Sequence, residues 1–171
     1  MKLKFTGALL LASMLFIGCS GSGLEDGRHP DEYESVTEMV NEARIGIEEI
    51  TADELRKKLD ANEEIFLVDV RTQSEYDEDY IGMAINIPRG ILEFNIGIQE
   101  YWDRWAMYAP QKDSEIIIYC KKGDRSALAA DAIKKLGYKN VKNLRGGWLV
   151  WKHGPDALEM EEAKASGGGC G

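Results

Sequence analysis

Glu115-Ile116-Ile117-Ile118-Tyr119-Cys120-Lys121-Lys122-Gly123-Asp124-Arg125-Ser126 joins an unbroken apolar run to the helix-compatible stretch Ala127 to Leu136. A short run of this kind fits a strand buried on both faces. The turn after it then places Cys120 at the C-terminal tip of a strand, over the start of a helix. Open α/β sheets carry their ligand sites at such tips. The free N–H groups and dipole of a helix start favour an anion there, and Lys121, Lys122 and Arg125 add positive charge. Together these features predict an exposed thiol whose pKa falls from about 8.5 toward neutrality, which makes Cys120 a nucleophile. The alternative for a single cysteine in such a turn is a buried, inert small hydrophobe.

Outward from that loop, strand-like and helix-like stretches alternate. Thr51-Ala52-Asp53-Glu54 has the form of a capping box opening a helix to about Leu59. Ile65 to Val68 reads as a buried strand ending in Asp69-Val70-Arg71, and Thr72-Gln73-Ser74-Glu75 is a second capping box. Ala84 to Pro88 reads as a strand stopped by proline. Leu128, Ala129, Ala132, Ile133 and Leu136 mark one stripe of the helix after Cys120, with Gly137 as its stop. Val141 to Leu144 is a last strand, and Gly146-Gly147-Trp148 turns into a helix near Trp151. This alternation predicts an α/β fold of three layers, a mostly parallel central sheet with helices on both faces. Between Gly90 and Pro110, Phe94, Tyr101, Trp102, Trp105 and Tyr108 recur at spacings of three and four. They predict a helix packing an aromatic face on the domain, or alternatively a wall of the active-site cleft.

The chain has 171 residues, the size of one ordinary domain. Residues 1–18 read as a signal peptide: Lys2 and Lys4 precede the apolar run Phe5 to Ile17, which is shorter than the roughly 20 residues a spanning helix needs. Phe16-Ile17-Gly18-Cys19 resembles a bacterial lipobox, which implies lipidation at Cys19. The alternative is a plain secretory signal that leaves Cys19 as a thiol. Residues 19–43, rich in Gly, Ser, Asp and Glu, read as the lipidated N-terminus and a flexible tether. The domain spans 44–153, and 154–171 form a tail with a Gly-rich arm and Cys170. The expected location is extracytoplasmic, lipid-anchored to a bacterial membrane on the periplasmic side. Ser20 beside the lipid site is compatible with outer-membrane sorting.

A formal net charge of −9 argues against nucleic acid as a partner and against electrostatic adhesion to anionic lipid. Acidic runs such as Glu75 to Asp79 read as solvated faces. With His29 and His153 as the only histidines and no Cys-x-x-Cys pair, no metal or cofactor is expected. If Cys19 is acylated, Cys120 and Cys170 remain as thiols. Gly167-Gly168-Gly169 makes a flexible arm, and the 16 residues from Gly154, if extended at about 3.3 Å each, reach far enough for Cys170 to meet Cys120, as a second redox or acceptor thiol. An inert tail is the alternative.

Four stretches together resemble the rhodanese family of sulfurtransferases over about residues 44–153. They are Leu67-Val68-Asp69-Val70-Arg71 with Glu75-Tyr76, Tyr80 to Pro88, the Cys120 to Ser126 loop, and Leu144-Arg145-Gly146-Gly147-Trp148 with Trp151. The second stretch departs from the family's His-Ile-Pro-Gly-Ala, with Tyr80 in place of the histidine. The resemblance implies a Cys120 persulfide that carries sulfane sulfur from thiosulfate or a persulfide or polysulfide donor to a thiol, cyanide or protein acceptor. It implies a binding loop of Lys121, Lys122, Gly123, Asp124, Arg125 and Ser126, with Asp69 and Arg71 as a supporting pair. Two other readings remain: a non-catalytic protein-binding module of the same fold, and a cysteine-dependent phosphatase or arsenate reductase. Phosphatase loops of this kind hold five residues between Cys and Arg, whereas here there are four.

Overall fold

The computed structural model describes residues 32–167. The proposed signal peptide, the lipid site Cys19 and the second thiol Cys170 lie outside the described residues. Strands β1 (Glu48–Ile50), β2 (Phe66–Asp69), β3 (Ile85–Asn86), β4 (Glu115–Tyr119) and β5 (Asn140–Leu144) pair in parallel in the order β1-β5-β4-β2-β3. The expected α/β architecture is therefore observed. The unbroken apolar run of β4 has a direct cause. Ile116 and Ile118 enter one core with Trp102 and Ile133, while Ile117 and Tyr119 enter another with Leu55 and Leu144. A strand with packed layers on both sides has no face left for polar residues.

The first layer contains α6 (Asp124–Lys135), the short turns α4 (Leu92–Asn95) and α5 (Gln99–Trp102), and α1 (Val36–Ile45) packed on α6. The second contains α2 (Ala52–Asp60) and α7 (Gly147–His153), with α8 (Ala157–Gly167) against α7. Helix α3 (Gln73–Glu78) follows β2. Both capping boxes form as expected: Thr51 exchanges hydrogen bonds with Glu54 at the start of α2, and Thr72 with Glu75 at the start of α3.

Three local expectations are corrected. Part of the presumed tether is α1, capped by Ser35 and seated through buried Val40 and Ala43. Its apolar set Val36, Met39, Val40 and Ala43 has helical spacing but is diluted by acidic neighbours. The segment 90–110 is not one helix. It breaks at Gly97, where a side chain would press on the Tyr138 hydroxyl, and at left-handed Ala106. Its aromatics are scaffold where buried, since Trp102 sets its ring edge-on to Phe66 at 5.4 Å. The buried stripe of α6 is Ser126, Ala127, Ala129, Ala130 and Ile133, leaving Leu136 exposed, because the helix is rotated so that Ser126 faces the sulfur of Cys120. The Tyr80 to Pro88 stretch keeps a tight turn despite its altered motif. Ala84 N–H bonds to the Ile81 carbonyl at 2.9 Å, and Tyr80 stacks on Tyr76 at 4.3 Å.

Candidate active site

Three strand tips meet around Cys120. Asp69 of β2 lies in register with Tyr119 of β4, and Asn143 of β5 with Ile118, so the loops after β2, β4 and β5 are neighbours. Gly123, with φ of 102°, curls the loop back so that its N–H donates to Cys120 Sγ at 3.1 Å. Helix α6 then begins directly beneath. Only a residue without Cβ adopts that backbone readily.

The Gly-Gly pair before Trp148 also acquires a physical reason. A Cβ on Gly147 would run into the carbonyl oxygen of Cys120 and the backbone of Lys121. Because it is absent, α7 comes close enough for Trp148 N–H to donate to the Cys120 carbonyl at 2.8 Å and Leu149 N–H to the Lys121 carbonyl at 3.0 Å. Helix α7 thus takes up two carbonyls of the loop, and the N–H of Gly123 is left turned toward the sulfur.

Asp69 and Arg71 are ion-paired. Both are buried, with Arg71 Nη2 2.7 Å from Asp69 Oδ2 and Nε 2.9 Å from the same oxygen. Arg71 also donates to the Asp79 carbonyl at 2.6 Å and lies 5.2 Å from the Trp148 ring centroid. The pair therefore reaches the Cys120 loop through Trp148. Asn86 donates to the carbonyls of Asp69 and Arg71, at 3.0 and 3.1 Å, and fixes the turn that holds them. Tyr119, buried beside this pair, has its phenol pushed far above the ordinary value by burial and by the charge of Asp69.

Two expectations about the loop fail. Cys120 is 1% exposed, so the thiol is not on the surface. A cleft of about 170 Å³ adjoins the loop at Lys121 and is lined also by Arg71, Glu75, Glu78, Asp79 and Trp148. The loop cations are also largely committed. Arg125 makes two 2.8 Å hydrogen bonds to Glu75, Lys121 Nζ bonds to Glu161 Oε1 at 2.7 Å, and Asp124 is turned outward to Arg44 at 2.9 Å. Glu75 is thus no solvated face: Arg125 above all, then the cap at Thr72, hold its carboxyl down at about 2 against the effect of burial. Arg125 is raised in return by Glu75, with the nearby sulfur of Cys120 adding to it. Lys122, half-buried in the loop, adds its charge to that of Lys121 in holding the Glu161 carboxyl low.

Sequence reasoning missed Glu75, Asn86, Asn143, Trp148 and Glu161 as parts of the site. Asn86 and Asn143 did carry a signal, as polar residues within apolar strand runs. The 50-residue separation of Glu75 from Arg125 carried none.

A cysteine held in a glycine curl at a strand tip, with a buried ion pair bracing its loop, defines a cysteine-loop protein of the parallel α/β class. The model of the rhodanese-like domain matches residues 51–153, and the chain belongs to that family. A sulfurtransferase of Allochromatium vinosum is 32% identical over 109 residues, covering 63% of this chain and 92% of its own length. The thiosulfate sulfurtransferase GlpE of Coxiella burnetii is 33% identical, covering 62% and 85%. Among solved structures, the human single-domain sulfurtransferase TSTD1 aligns with a TM-score of 0.56 at 28% identity, covering 62% of this chain and 96% of its own. A Rhodopseudomonas palustris protein described as of unknown function and a possible tyrosine phosphatase aligns with a TM-score of 0.60 at 28% identity, covering 74% and 95%.

Proposed function

We propose that this protein is a sulfurtransferase that carries sulfane sulfur as a persulfide on Cys120. The family and its relatives support sulfur transfer in general. The observation that favours the specific route is the Gly123 N–H aimed at Cys120 Sγ over the start of α6. In the first half-reaction the Cys120 thiolate attacks the outer sulfur of thiosulfate, the S–S bond breaks, and sulfite leaves with the electron pair. In the second, cyanide or a thiolate attacks the outer sulfur of the persulfide, and Cys120 leaves again as thiolate. Dividing one transfer into two displacements is the gain from covalent catalysis. Backbone N–H groups of the loop, with no side chain in the way at Gly123, stabilise the anionic sulfur at each stage. Because Cys120 is buried, donor and acceptor approach through the cleft beside Lys121 and Trp148.

A thiosulfate and cyanide assay for thiocyanate tests the reading, with Cys120→Ser as control. Turnover is expected in the wild type and none in the variant. Equal rates in both would overturn it. The phosphatase alternative draws on the R. palustris neighbour. It is disfavoured by the four residues between Cys120 and Arg125 and by the engagement of Arg125 with Glu75, which removes the cation such a loop turns on a phosphate. The reading extends to a lipid at Cys19 and an extracytoplasmic site of action, on the strength of residues 1–19 alone. Release of a Cys19→Ala variant from the membrane fraction is the expected result. In this reading Cys170 serves as a second redox or acceptor thiol, and sulfur on Cys170 or a disulfide with Cys120 after donor treatment is its signature.

A further inference from the structure

Behind the sulfur runs a buried polar chain that the transfer mechanism does not use. Ser126 and Asn143 are fully buried. Ser126 Oγ lies 3.4 Å from Cys120 Sγ, 3.1 Å from the Gly123 carbonyl oxygen and 2.7 Å from Asn143 Oδ1. A serine hydroxyl has one proton, so only one of these three receives it. Asn143 in turn donates through Nδ2 to Glu49 Oε1 at 3.1 Å. Turning the amide over would set its oxygen against that carboxylate, so Glu49 fixes Asn143 with Oδ1 toward Ser126. Glu49 is itself held by Arg145 Nε at 3.0 Å and Arg44 Nε at 3.6 Å. Arg44 and Glu49 both precede the residues that the family model matches.

We propose that Glu49, acting through Asn143, holds the Ser126 proton away from Cys120 and so restrains the sulfur's reactivity. At 2.7 Å the Asn143 oxygen is the best placed of the three acceptors. With the proton committed there, Ser126 turns a lone pair to the sulfur. That arrangement suits an S–H group and withholds a second donor from a thiolate. Once the amide is free to turn, Asn143 donates to Ser126 Oγ and the hydroxyl proton swings to the sulfur. Ser126 touches the reacting atom, whereas Asn143 and Glu49 are positioning residues. The consequence for sulfur transfer rests on the function proposed above, but the restraint on the thiol is measurable without it.

The experiment is the rate of Cys120 labelling by iodoacetamide at neutral pH, read by peptide mass on the full chain. The reagent is uncharged, so loss of the Glu49 charge does not alter its approach. Glu49→Ala, which leaves the Asn143 amide no acceptor at this position, is expected to label roughly five- to tenfold faster than wild type, the net size of one ordinary hydrogen bond. Asn143→Ala is expected to move in the same direction, which keeps the test open if one variant fails to fold. The gain should vanish when Ser126→Ala is added to either. An unchanged or slower rate in a variant that melts cooperatively, or a gain that survives Ser126→Ala, would overturn the proposal. Failure of the sulfurtransferase reading would show separately, as absence of persulfide on the wild-type protein.

Discussion

At Gly147 an added methyl group has nowhere to go, because the Cys120 carbonyl occupies its place. Gly147→Ala combines left-handed strain, with φ of 58°, and a clash against backbone that cannot yield. It is expected to cost about 2–4 kcal/mol in denaturant unfolding and to abolish sulfur transfer, since α7 must withdraw from the loop. Glu75 gives a second residue-scale test. Its folded pKa of about 2 lies below the ordinary carboxyl value of 4.5, so the stability it confers is complete above 4.5 and is lost as pH falls through about 2. Both partners are partly exposed, which screens the pair, so Glu75→Gln is expected to cost only about 1 kcal/mol at neutral pH. Chemical denaturation across acid pH should show the gap to wild type closing between about pH 4.5 and 2. A gap that persists below that range would show that the pair is not its source.

The elements that form the site were legible to different degrees, for physical reasons. Strand β4 and the two capping boxes could be read because each rests on local chemistry: unbroken apolar burial, or a side chain three residues from its N–H. Helix α1 was hidden because only Val40 and Ala43 of its apolar set are buried, against α6. The segment with the five aromatics misled because the period of the rings is helical while Gly97 and Ala106 break the backbone. The pairing of the loop cations was not legible, since it depends on Glu75 and Glu161, which the fold brings from distant elements. Helix α1 supplies the element-scale test. Val40→Ala removes a buried contact from the α1 and α6 interface and is expected to lower stability by about 1–2 kcal/mol, with little change in activity. A loss of activity without loss of stability would mean that α1 does more than pack.

Over the whole molecule, a net charge of −9 sets a negative field around a site whose own cations are mostly paired. A dianion such as thiosulfate is then repelled at long range and held only by short contacts inside the cleft. Raising ionic strength from about 0.01 M to 0.5 M shortens the screening length from roughly 30 Å to a few ångströms. The KM for thiosulfate is expected to fall over that range with kcat nearly constant. A rising KM would show that Lys121 and Lys122 steer the donor after all. The most direct test of sulfur chemistry at Cys120 is the intact mass of the protein before and after thiosulfate, followed by mapping of the adduct. A gain of about 32 Da, one sulfur atom, located on Cys120 and missing from Cys120→Ser is the expected result. No adduct on wild type, or one that persists in Cys120→Ser, would contradict the account.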